Sequence, residues 1–172
     1  MKNIIFLVMS IAVISCSVHK QVRQNEEIII TGKITRNTLA EKISWFEKNY
    51  QTYKPNDSAI HELNKYSKNL KVIVVMGTWC EDSKQNVPAF FKVADKIFME
   101  ENQYEIIGVD RDKKCKKPDI TKYKIKNVPT FILYLKGEEI GSIIETPKES
   151  IEKDMLRIIK VMTHKADIRN IE

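Results

Sequence analysis

The sequence predicts a mixed α/β fold: a central sheet flanked by helices, preceded by an N-terminal helical extension. Three observations lead to it. The run Lys71-Val72-Ile73-Val74-Val75-Met76 is almost continuously apolar, the mark of a strand buried on both faces of a sheet. Downstream of it the elements alternate in the order β-α-β-α-β-β-α, which folds as a mixed sheet covered by helices on both faces. Upstream, residues 28–69 turn to helical periodicity after a short β-branched start.

Each element has a local reason. Ile28-Ile29-Ile30-Thr31-Gly32-Lys33-Ile34 reads as a short strand or extended lead-in. Thr38-Leu39-Ala40-Glu41 has the capping-box pattern, and Leu39, Ile43, Trp45, Phe46 and Tyr50 form an apolar stripe for one helix ending before Pro55. A second helix starts at Asp57 or Ser58 and carries Ile60 and Leu63. After the buried strand, residues 81–100 read as a helix with Val87, Phe90, Phe91, Ala94, Ile97 and Phe98 turned inward. There follow a strand at 104–109, a Lys-rich loop, a short helix near 120–123, and a strand at 130–135. A turn at Lys136-Gly137 leads into a strand at 139–144, and a helix at 147–163 presents Ile151, Met155, Ile158, Ile159 and Met162 at helical spacing. No repeat or long linker interrupts the chain.

Composition narrows the class. With 172 residues, 42% hydrophobic, only 5 Gly and 5 Pro, the chain is neither collagen-like nor disordered, and it is long enough for one core. Its three cysteines, Cys16, Cys80 and Cys115, cannot pair completely, which excludes a disulfide-stapled framework. The net charge of +6 raises nucleic acid as a partner, but outside Lys113-Lys114-Cys115-Lys116-Lys117 the cations alternate with acids, the pattern of a solvated surface. No nucleic-acid partner is expected. His19, His61 and His164 are scattered, without metal-ligand spacing, and no Gly-rich phosphate loop is present, so neither a metal nor a cofactor is expected.

The first residues read as a processing segment. Met1-Lys2-Asn3 leads into an apolar run over 4–14, about a dozen residues, too short for the roughly 20 that span a bilayer. Val13-Ile14-Ser15-Cys16 resembles the lipobox of bacterial lipoproteins, which implies cleavage after Ser15 and a lipid anchor on Cys16. Ser17 after that cysteine resembles the common outer-membrane sorting signal. The implied organisation is a signal peptide at 1–15, a polar tether at 16–27, the extension at 28–69 and the main domain at 70–172. The implied location is the bacterial cell envelope, at the outer membrane, on its periplasmic or surface face.

The chemistry gathers at Met76-Gly77-Thr78-Trp79-Cys80-Glu81-Asp82-Ser83, where the buried strand hands over to a helix. Unpaired backbone N–H groups and the positive end of the helix dipole favour thiolate over thiol there, and the thiolate is the reactive species. Cys80 is therefore the candidate nucleophile.

This segment resembles the thioredoxin-like superfamily. Trp79-Cys80-Glu81-Asp82-Ser83 matches its Trp-Cys-X-X-Cys motif except at the last residue, Pro88 falls where the family kinks the following helix, and Val128-Pro129-Thr130 matches its cis-proline segment. The resemblance spans residues 70–163. It implies that Cys80 attacks disulfides, that Trp79 shapes the adjoining surface, and that Val128, Pro129 and Thr130 form a groove in which the Val128 backbone pairs with substrate. Partners would be thiol- or disulfide-containing proteins or small thiols, with the chain acting as a monomer.

Three departures limit mechanism. Ser83 replaces the second cysteine; its hydroxyl can donate to a thiolate but cannot form a disulfide. Val74 stands where many thioredoxins carry a buried Asp. Glu81 and Asp82 place negative charge beside Cys80. Turnover therefore borrows a thiol from elsewhere, as in disulfide isomerisation, mixed-disulfide reduction or monothiol exchange. Cys115 follows a strand expected to run parallel to the one leading to Cys80, and its four flanking lysines are expected to lower its pKa. It is either a displaced resolving cysteine or a loop thiol in a solvated turn; the need for Cα atoms within about 7 Å favours the latter. A non-catalytic thioredoxin-fold module that binds peptides in the cis-proline groove is the alternative function.

Overall fold

The structure, a computed structural model, describes residues 27–169; the expected signal peptide, the expected tether up to residue 26 and the expected anchor Cys16 lie outside the described residues. Five strands form one sheet: β1 (Gly32–Ile34), β2 (Leu70–Met76), β3 (Tyr104–Gly108), β4 (Thr130–Leu135) and β5 (Glu138–Ile144). Their spatial order is β1-β3-β2-β4-β5. Strands β2 and β3 run parallel, with Val74 opposite Ile106. The pairs β1/β3, β2/β4 and β4/β5 are antiparallel, so the sheet is mixed as expected. The central β2, flanked on both sides, carries the apolar run that predicted it.

The helices are α1 (Arg36–Lys42), α2 (Ser44–Thr52), α3 (Asp57–Asn64), α4 (Glu81–Lys96) and α5 (Ile151–Arg169). Their boundaries depart from expectation in three places. The single N-terminal helix is two: Thr35, not Thr38, caps α1 by accepting the Thr38 N–H, and Ile43 adopts an extended backbone that breaks the chain before α2. Helix α4 ends at Lys96 because Phe98 takes a left-handed backbone (φ 56°) and Met99 N–H closes back onto the Ala94 carbonyl. Phe98 is thereby thrown outward, 79% exposed, rather than buried. Helix α5 starts at Ile151, not Pro147, since Asp154 accepts the Lys148 N–H and Asp154 N–H bonds Ser150 O, which fixes the entry turn.

The sheet faces are covered unevenly. Val72, Val74, Met76, Ile106, Phe131 and Leu133 point to one side, where all five helices pack: Leu39, Phe46, Leu63, Phe90, Phe91, Ile151 and Ile159 complete that core. Phe90 stacks edge-on with Phe91 and Tyr104 and lies 5.8 Å from Phe131, joining α4 to the strands. Each such buried ring stabilises by roughly 1.5–3 kcal/mol. On the other side Ile73, Val75, Ile107, Val109, Ile120, Val128 and Ile132 form a smaller cluster. No α-helix covers it among the described residues; the segment 110–127 does, with a three-residue 3-10 turn at Thr121–Tyr123. That segment alternates Ile120, Tyr123 and Ile125 inward with lysines outward, too sparse an apolar stripe for a full helix.

Residues 32–34 are built into the sheet, and residues 28–31 lead into them. Strand β1 forms one edge, and Gly108 makes room for it: a Cβ there would overlap the Ile30 carbonyl. The extension is therefore part of the fold that positions the site.

Candidate functional site

Strand β2 ends at Met76, and four residues later Cys80 occupies the N-cap of α4, with no side chain capping the helix. A tight turn holds it there, Cys80 N–H bonding Gly77 O at 3.0 Å while Lys84 N–H bonds Cys80 O at 3.0 Å. The half-buried thiol donates to the Val128 carbonyl at 3.0 Å. Val128 precedes Pro129, and the peptide between them is cis. Thus the reactive sulfur and the backbone of the proline segment, 48 residues apart in sequence, are in direct contact.

Trp79 forms one wall. Its indole N–H donates to Val109 O at 3.1 Å, and its ring lies so close to Gly77 that a Cβ at that position would sit 2.6 Å from it. Only glycine leaves that space. The Arg111 guanidinium stands 5.3 Å from the ring centre and pairs with Glu27. On the opposite rim Thr146 donates to Asp82 at 3.2 Å, and Asn86 and Asn127 hold Glu145, whose N–H bonds Pro129 O at 2.7 Å. Thr130 is buried and donates to Asn127 O at 2.7 Å, fixing the proline loop rather than facing the groove.

Ser83 is fully buried and turned away from solvent; its hydroxyl accepts the Gly77 N–H at 3.3 Å. No hydrogen bond joins it to Cys80 among the described residues. The residue in the resolving position thus closes the 77–80 turn, the one visible duty of its side chain.

Cys115 is half-buried and donates to Pro118 O at 3.3 Å. It packs against the same apolar cluster as Trp79 and Cys80, and both thiols are free. The expected lowering of its pKa by lysines is not what the structure gives. Burial pushes the thiol up, Asp110 and Asp119 push it further, and the neighbouring Lys114, Lys116 and Lys117 extend into solvent, where their charge is screened. His61 is exposed on α3, which packs against α5.

Thr78 carries a role that the motif alone does not reveal. Its buried hydroxyl donates to Ile28 O at 2.6 Å and accepts the Ile30 N–H at 3.2 Å, stitching the start of the extension to the turn that bears Cys80. Together with the Glu27–Arg111 pair and Lys84, 4.0 Å from Glu27, it fixes residues 27–30 along the rim. These pairings join residues far apart in the chain and leave no local signal.

Comparison with known proteins agrees with this geometry. The family model described as Thioredoxin matches residues 33–160. The chain is 30% identical over 95 residues to Thioredoxin H2 of Arabidopsis thaliana, covering 55% of this chain and 66% of that protein. It is 28% identical over 96 residues to Thioredoxin H2-1 of Oryza sativa subsp. japonica, covering 54% and 62% respectively. The chain thus spans just under two thirds of the length of these relatives. A crystal structure of a protein of unknown function from Pseudomonas aeruginosa shares the fold, with a TM-score of 0.57 at 12% identity over 77% of this chain and 94% of that one.

Proposed function

Because the chain belongs to the thioredoxin family, whose model spans residues 33–160, we propose that it performs thiol–disulfide exchange through Cys80 alone, from a lipid anchor in the bacterial envelope. The observation that carries the reading is the Cys80 thiol at the head of α4, 3.0 Å from the Val128 carbonyl, with Ser83 and no second thiol one turn on. The Cys80 thiolate attacks one sulfur of a substrate disulfide; a Cys80–substrate bond forms, the substrate S–S bond breaks, and the departing thiolate takes up the proton that Cys80 released. A second thiol, belonging to the substrate or to a small external thiol, then attacks the mixed disulfide and returns Cys80 to its starting state. When the substrate supplies both thiols no electrons are gained or lost and a disulfide is merely moved. When external thiols supply them, two are oxidised to a disulfide for each substrate disulfide reduced.

Exchange on a small mixed disulfide tests this. Native protein is expected to catalyse it and Cys80→Ala to lose at least about 10²-fold of the rate, reflecting loss of the nucleophile. Unchanged activity in Cys80→Ala sinks the exchange reading and leaves peptide binding as the function of the groove. The anchor reading rests on Val13-Ile14-Ser15-Cys16. Palmitate labelling is expected in cells expressing the native chain and absent with Cys16→Ser; unlabelled native protein refutes the anchor.

A further inference from the structure

We propose that residues 110–127 form a charge-selecting wall beside Cys80, and that the segment they select is an acidic stretch of polypeptide flanking the exchanging cysteine. This rests on the exchange reading and deepens it by naming a substrate class.

The charge is concentrated to an unusual degree. Residues 110–127 hold seven lysines and Arg111 against Asp110, Asp112 and Asp119, so this one loop bears +5 of the chain's formal +6. Six of the lysines, at positions 114, 116, 117, 122, 124 and 126, are exposed. Elsewhere four lysines among the described residues pair with acids, in Lys33–Glu105, Lys65–Glu62, Lys84–Glu81 and Lys153–Glu149. Among the described residues none of the seven loop lysines lies within 4.0 Å of a carboxylate. Their charge is left for something outside the chain.

Both ends of the loop are fastened to the site. It begins after Val109, whose carbonyl holds the Trp79 indole, with Arg111 over that ring, and it ends before Val128, whose carbonyl holds the Cys80 thiol. Between these points Cys115, Tyr123 and Ile125 pack on the apolar cluster that also carries Trp79 and Cys80. The loop is therefore a wall of the groove and not a remote appendage.

The opposite rim is acidic, with Asp82 and Glu145. A broad anionic surface such as a bilayer or a nucleic acid would meet repulsion from that side. A single extended segment can place its acids against the loop alone, and, unlike a bilayer or a nucleic acid, a cysteine-bearing polypeptide also brings a sulfur to Cys80. Field focusing by such a patch raises association rates by about 10 to 10³-fold at low salt.

The test uses the full chain and two peptides of equal length, each holding one cysteine in a mixed disulfide with an aromatic thiol and flanked by either Asp/Glu or Lys residues. Attack by the Cys80 thiolate joins the peptide to Cys80 and releases the coloured aromatic thiolate, so each attack is counted and its rate is read from one round of reaction. The acidic peptide is expected to react about tenfold or more faster at low salt, with the gap closing near 1 M salt, where the Debye length is about 3 Å. In the triple variant Lys122→Gln, Lys124→Gln, Lys126→Gln the ratio is expected to fall towards one. Equal rates for the two peptides, or a preference retained by the variant, overturn the proposal. If neither peptide reacts, the exchange reading fails separately, and fluorescence anisotropy with Cys→Ser versions of the peptides still decides the wall: salt-sensitive binding of the acidic peptide, lost in the triple variant, supports it, and equal binding overturns it. Vesicles of anionic phospholipid bound by the native loop but not by the variant, with no discrimination between peptides, would make the loop a membrane contact and likewise overturn it.

Discussion

Ser83→Cys is expected to shorten the life of a mixed disulfide at Cys80 by at least about 10²-fold, because the resolving thiol becomes part of the same helix turn and acts at a high effective concentration. Position 83 lies one turn beyond Cys80, on a buried face of α4, and the exchange of hydroxyl for thiol adds little volume. The balance is simple: the new thiolate at position 83 attacks the Cys80 sulfur, an internal disulfide forms, and the substrate leaves as a thiol with the proton the new group gave up. In the native chain the same adduct waits for an external thiol. Mass spectrometry after a pulse of disulfide reads the difference directly, since the native protein retains the adduct while the variant returns without it and two hydrogens lighter. An adduct equally persistent in both would show that Cys80 and position 83 cannot approach, and the single-thiol mechanism would then not be a consequence of Ser83. The substitution weakens the acceptor for the Gly77 N–H, a loss of about 1 kcal/mol that leaves the fold intact.

What could be read from the sequence was local chemistry, and what could not was the outcome of packing. Strand β4 spans Thr130–Leu135 as expected because a β-branched and aromatic run lies between a proline and a Lys-Gly turn, both short-range signals. The same holds for the site: Trp79-Cys80 and Val128-Pro129-Thr130 are contiguous motifs, and their meeting follows from strand order. The break at Ile43 was not legible, since the apolar stripe from Leu39 to Tyr50 continues through it and only the extended backbone at Ile43 interrupts the helix. Phe98 looked inward by periodicity, yet the left-handed turn that ends α4 overrides the period. For Cys115 the flanking lysines were visible but burial was not, and burial sets the direction of its shift. Thr78 with Ile28 and Arg111 with Glu27 join residues 50 and 84 apart, for which a single sequence holds no marker.

Glu152→Ala is expected to cost about 3–5 kcal/mol at neutral pH, although the residue is far from the thiol chemistry. Its carboxylate is only 2% exposed and has no cation within reach among the described residues; instead it accepts the Tyr53 hydroxyl at 2.7 Å and the Asn56 N–H at 2.9 Å. These two bonds fasten the turn between α2 and α3 to the first turn of α5. Truncation leaves both donors without their acceptor in a largely dry site, whereas Glu152→Gln keeps an acceptor oxygen and should lose less. Burial alone raises the carboxyl pKa, but the Asn56 and Tyr53 bonds outweigh it and hold the group below the usual carboxylate range, while burial and the same carboxylate push Tyr53 up. A carboxyl whose folded pKa is depressed contributes stability that is full above its unfolded value of about 4.3 and is lost as pH falls through the lower folded value. Urea unfolding of the native chain and Glu152→Ala should therefore differ most above about pH 5, with the gap narrowing as pH falls through the folded pKa. Equal midpoints at neutral pH, or a gap that widens in acid, would mean that the Glu152 carboxylate does not hold α5 to the N-terminal helices.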